Sequence, residues 1–86
     1  MSQPTAISSG LLAEPTQITN NRAILTGARA TEGTIRVYDG EDNTGVLLVE
    51  VGDSEGSVDF SHGVRAYEGL YVEFEGEGSR GIVWYK

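Results

Sequence analysis

His62 is the only histidine in the chain and stands in a Ser61-His62-Gly63 segment. A histidine works as a general base when a nucleophile and an orienting acid lie within hydrogen-bond reach. Ser61 and Asp59 are close in sequence, but neighbours along an extended chain point in different directions, so the segment predicts a loop or interface histidine. Asp39, Glu41, Asp42 and Asn43 put oxygen ligands close together, as a calcium loop does. The helical calcium loop needs glycine at its sixth position and glutamate at its twelfth. Counted from Asp39 these places hold Thr44 and Glu50, and Glu50 falls inside a predicted strand; a solvated hairpin loop is expected instead. Glu73, Glu75 and Glu77 form an acidic comb. Glycoside hydrolysis needs two acids facing across a cleft, whereas residues two apart on one strand stand side by side. The comb therefore predicts a charged face that discourages edge association, with Arg36, Arg65 and Arg80 as candidate partners.

Tyr38, Tyr67, Tyr71, Trp84 and Tyr85 are many large amphipathic rings for so short a chain. Trp84 is expected inside with Ile82, leaving Val83 and Tyr85 on the other face. The outward tyrosines suit a protein interface, packing within the fold, or a sugar platform. No residue set recommends itself as a catalytic, metal or cofactor site.

These side chains must be held by a domain of 86 residues without cysteine, so neither disulfides nor thiolate metal sites can brace it. Oligomerisation is expected as a further source of stability. Thirteen acidic side chains against six basic ones give a formal charge of -7. That balance argues against a nucleic-acid partner, whose phosphates require clustered Lys and Arg. No apolar run approaches the roughly 20 residues of a membrane-spanning helix, and Met1-Ser2-Gln3-Pro4 has neither the basic flank nor the apolar core of a secretory signal.

The elements are short and extended. Residues 1–21 read as an N-terminal arm, with Pro4 and Pro15 bracketing a thinly apolar stretch, part of which can pair as an edge strand. Ile7, Leu11 and Leu12 would lie along their own domain or reach a neighbour. Residues 22–86 read as the folded domain. Arg22 to Ala30 forms a strand, Thr31-Glu32-Gly33 a turn, and Thr34 to Tyr38 a second strand with Ile35 and Val37 inward. After the polar loop Asp39 to Gly45, Val46 to Val51 places Leu47, Val49 and Val51 on one face. Val46 and Leu48 lie on the other, where a sheet with one wet side would carry polar residues. Ser57 to Phe60 is a short strand with Val58 and Phe60 inward. Ser61 to Glu68 is an irregular crossing plugged by Val64 and Tyr67. Leu70, Val72 and Phe74 then alternate with Tyr71, Glu73 and Glu75, and Gly76 to Gly78 is expected to turn the chain into a closing hairpin with Ile82 to Tyr85. Six or seven short strands, with 12 glycines against any helix, predict an all-β fold: a small antiparallel β-sandwich, or alternatively a small β-barrel.

Arg22 to Tyr85 resembles the small β-sandwiches of tailed-bacteriophage virion proteins. The resemblance lies in the Thr34-Ile35-Arg36-Val37-Tyr38-Asp39-Gly40 strand and turn, the Gly45-Val46-Leu47-Leu48 restart, the Gly69-Leu70-Tyr71-Val72 strand and the terminal Ile82-Val83-Trp84-Tyr85. It covers about three quarters of the chain and consists of glycines and strand residues, so it marks a fold more than a role. Some such proteins are head decoration, or cement, proteins, typically trimers seated where capsomers meet. The resemblance implies a non-enzymatic virion protein on the outer capsid surface, made in the host cytoplasm, with the major capsid protein and further copies of itself as partners. Ile7, Leu11, Leu12, Tyr38, Val46, Leu48 and Tyr71 are the candidate interface residues. The alternative is a tail- or fibre-associated module that recognises a host surface glycan through its aromatic residues.

Overall fold

The structure, a computed structural model, describes residues 7–86. Six strands follow in order: β1 (Ile7–Ser8), β2 (Thr16–Thr19), β3 (Ala23–Asp39), β4 (Val46–Gly52), β5 (Ser57–Ala66) and β6 (Leu70–Tyr85). All pair antiparallel in one open sheet, and the all-β class expected from the alternation is what the chain adopts. β3 and β6 run side by side from Leu25↔Tyr85 to Asp39↔Leu70 and form the middle of the sheet. The other edge of β3 is taken first by β5 and then by β4. The far edge of β6 is lined by β1, by Leu12 opposite Gly81, and by β2. From Ile7 to Thr19 the predicted arm is thus a lane of the sheet, while its positions 1–6 lie outside the described residues.

Two expected reversals are instead bends. Thr31-Glu32-Gly33 does not end a strand, and Gly76 to Gly78 does not close a hairpin; β3 and β6 continue through both places. Glycine with positive φ serves a bulge as readily as a tight turn. Gly33 (φ 70°), Gly76 (φ 97°) and Gly78 (φ 79°) lie where the β3–β6 register shifts, so extra residues sharpen the bend without reversing the chain. The buried Ser79 hydroxyl closes this bulge, shared between the carbonyls of Glu75 (2.5 Å) and Gly76 (2.8 Å).

The bends fold the sheet over on itself. Residues 67–69 alone connect Ala66, paired with Ala23, to Leu70, paired with Asp39. Three linking residues reach at most about 14 Å, so the two ends of β3 come close and its halves face one another. Between them Leu25, Ala28 and Ala30 from the first half meet Ile35 and Val37 from the second, with Val51, Ala66, Leu70, Val72 and Val83 completing the core. A single bent sheet thereby supplies two facing layers around one core, the arrangement of a small sandwich or barrel. Gly81 sits at the fold, where a Cβ would lie 2.7 Å from the Arg29 carbonyl oxygen and 2.8 Å from Ile35 Cγ2.

Bulges also reset which side chains point inward, because one extra residue moves all that follow to the opposite face. In β4, Val49 pairs with Val37 but Leu47 pairs with Tyr38, leaving Leu48 as the extra residue. Leu47, expected inside, is therefore 48% exposed, and Leu48, expected outside, packs against the core. Beyond the β6 bulge Val83 is fully buried and Tyr85 packs against the core, the reverse of the expected phase; Trp84 is half-buried on the outer face. The expected crossing from Ser61 is strand as far as Ala66, with its irregularity confined to a register shift opposite Thr26. Tyr67 is no plug: it is 64% exposed.

Candidate functional site

The outer face of the β6–β3–β4 layer is built in rows. Tyr71, Tyr38 and Leu47 lie abreast, and the next row is Glu73, Arg36 and Glu50. Arg36 occupies the central strand, so its guanidinium can reach carboxylates on both sides. Its Nε donates to Glu50 at 2.5 Å, and a terminal nitrogen donates to Glu75. The bond to Glu75, then that to Glu50, raises the arginine above its ordinary pKa. Asn43 Nδ2 donates to Glu73 Oε1 at 2.8 Å, tying the 40–45 loop to the same face. The acidic comb is thus partly neutralised from one central arginine.

Above these rows the sheet ends in apolar side chains. Val46 is 67% exposed and pairs with Asp39 at the end of β4, next to Leu47. The Tyr67 backbone is held at the same end, because the Asp39 carboxylate accepts hydrogen bonds from the N–H groups of Tyr67 (3.0 Å) and Glu68 (2.8 Å). Asp39 therefore fastens the 67–69 link, and this is its visible role. Asp42 accepts from the Thr44 hydroxyl (2.5 Å) and backbone N–H (2.9 Å), which hold its carboxyl below the ordinary aspartate range. Of the oxygens considered for calcium, those of Asp39 and Asp42 serve these separate partners. Among the described residues no three His, Cys, Asp or Glu side chains are grouped as metal ligands.

A second concave surface lies outside the other layer, lined by Thr26, Arg29, Ser57, Asp59, Phe60, Ser61 and Trp84, with a volume of about 580 Å³. Asp59, Gly27 and Trp84 lie abreast across β5, β3 and β6. A Cβ on Gly27 would stand 3.1 Å from Asp59 Oδ1 and 3.6 Å from Trp84 Cε3. The glycine thus lets a carboxylate and an indole lean over one spot of backbone. His62 is exposed on the bulged part of β5 and makes no hydrogen bond with Ser61 or Asp59 among the described residues.

Of the residues singled out in the sequence, Tyr38, Tyr71 and Val46 gather at the apolar end. Ile7 and Leu11 are 53% and 56% exposed along the first lane, against the half of β6 that ends at Tyr85. Leu12 pairs with Gly81 and packs on the core, as does Leu48. Sequence reasoning missed Leu47 and Tyr67 at the apolar end, and Gly27 and Asp59 beside Trp84. The glycine-rich bends were the available signal for Trp84. Nothing in the Leu47-Leu48-Val49 run marks its bulge. No protein-family model matches the chain, and no curated protein or solved structure is significantly similar to it.

Proposed function

We propose that this chain is a non-enzymatic structural protein of a phage virion, which binds and reinforces the outer surface of a capsid through the apolar end of its sheet. The observation that carries the reading is the concentration of Val46, Leu47 and Tyr67, three large exposed apolar side chains, at the end of the sheet where Asp39 fastens the 67–69 link, with Leu47 on the face of Tyr38 and Val46 on the opposite one. Tyr38 and Tyr71 lie abreast of Leu47, and Glu41, Asp42 and Glu68 surround the hollow beside Val46. Such a surface fits an apolar depression edged by lysine or arginine on the major capsid protein. Each patch is small, so firm attachment follows from several copies bound together around a symmetry axis, a trimer in the simplest case.

The test is co-sedimentation with capsids stripped of the protein, using Val46→Asp combined with Leu47→Asp. Both positions are exposed, so the fold should persist while occupancy falls. Full occupancy by the folded double variant would sink this reading. Native mass spectrometry of the free chain separates preformed trimers from copies that associate only on the shell.

A further inference from the structure

We infer that the hollow between Trp84 and Asp59 binds a neutral sugar ring, a site separate from the apolar end assigned to docking. Three observations converge there. Trp84 and Phe60 present aromatic surface, while Arg29, Asp59, Ser57 and Ser61 supply donors and acceptors around the same opening. A pyranose has this double character, with C–H groups on its faces and hydroxyls around its rim. Aromatic rings take the faces, and the carboxylate and guanidinium take neighbouring hydroxyls in pairs. Among the described residues neither Arg29 nor Asp59 enters an ion pair, so both groups remain available.

The second observation is Thr26. Its Oγ1 is buried without a hydrogen-bond partner, the sole such side-chain atom among the described residues, and Thr26 lines this hollow. Buried hydroxyls are normally satisfied, and rotation about the Thr26 Cα–Cβ bond would bring this one from its covered position to a ligand hydroxyl in the hollow. The third is Gly27, whose missing side chain keeps the floor open between Asp59 and Trp84. A volume of about 580 Å³ lies within the range of small-ligand sites and suits one or two sugar rings. Arg29 and Asp59 balance each other's charge, which favours a neutral ring over a sugar acid or a phosphate.

The probe is a panel of neutral methyl pyranosides (glucoside, galactoside, mannoside and N-acetylglucosaminide) titrated into the isotopically labelled full chain and followed by amide and indole NMR. A hexose of roughly twelve non-hydrogen atoms at ordinary ligand efficiency binds with Kd on the order of 1 mM. The expected result is a saturable shift for at least one sugar, centred on Thr26, Gly27, Asp59 and the Trp84 indole. Asp59→Ala, at an exposed position, should weaken that binding by roughly tenfold or more while leaving the spectrum dispersed. Arg29→Ala carries the same test should Asp59→Ala fail to fold. No saturable shift with any sugar, shifts centred instead on Tyr38 and Tyr71, or undiminished binding by the folded variants would each overturn the proposal. Capsid occupancy, measured separately with Asp59→Ala, should be unchanged, so the two sites stand or fall independently.

Discussion

In one layer Arg36 reaches from the central strand to Glu50 on its left and Glu75 on its right. At the matching place in the other layer, Gly27 stands between Asp59 and Trp84 and reaches nothing. The backbone beneath is the same pair of strands, β3 beside β6. A long charged side chain at the middle of a row closes that face with a polar network; a glycine leaves an opening framed by its neighbours. The difference teaches that surface character here is set by single residues on the central strands, while both layers draw on one core.

The shared core gives the largest expected effect. Ile35→Ala in one half and Leu25→Ala in the other should each cost about 3 kcal/mol, since each side chain is fully buried. Denaturant unfolding should remain a single transition with unchanged m-value in both variants. Two transitions, with only one displaced by each substitution, would show the halves to be independent. Gly27→Ala should cost about 1 kcal/mol by crowding the Asp59 carboxylate and the Val58 carbonyl, each 3.1 Å from the added Cβ, and the indole fluorescence should shift as the new methyl group covers the edge of the ring. Unchanged fluorescence and stability would mean the opening does not depend on the glycine.

Arg36→Ala should lower thermal stability by less than either, because its pairs are exposed and screened. The deficit should shrink in high salt, and a salt-independent loss would point to packing by the arginine stem. The smallest effect belongs to Asp42. Its carboxyl titrates below the ordinary range because Thr44 bonds favour the ionised form. Its contribution is present above the unfolded aspartate pKa and is lost as pH falls through the lower folded value. The Thr44 amide resonance should therefore report a midpoint under the usual value of about 3.9, and Asp42→Asn should abolish that response. A midpoint at or above it would remove the Thr44 bonds as a cause.

The alternation in Thr34–Tyr38, Val49–Val51 and Leu70–Phe74 was enough to read the class of fold and five core positions, Ile35, Val37, Val51, Leu70 and Val72. Strand continuity was not legible. Gly33, Gly76 and Gly78 carry the same chemistry whether the chain reverses or merely bends, and only distant pairing decides between them. One phase error followed from this, Trp84 and Val83 exchanging faces beyond the β6 bulge; the other, between Leu47 and Leu48, arose at a bulge with no glycine to announce it. The apolar end was half legible because Tyr38 and Tyr71 sit at the outward positions of cleanly alternating strands. The hollow was not, since it joins residues of three strands whose mutual register the sequence does not carry.

The central place of β6 has a consequence for how the chain is made. Its partner β3 precedes it by dozens of residues, with Leu25 meeting Tyr85 and Asp39 meeting Leu70. During synthesis β3 can pair with β4 and β5 as soon as they emerge, but its other edge, and the strand pairing of β1 and β2, must wait for β6. Until then the growing chain carries an open row of N–H and C=O groups beside uncovered apolar residues, the condition in which strands from neighbouring chains join. The surplus of acidic side chains keeps such unfinished chains apart during that interval.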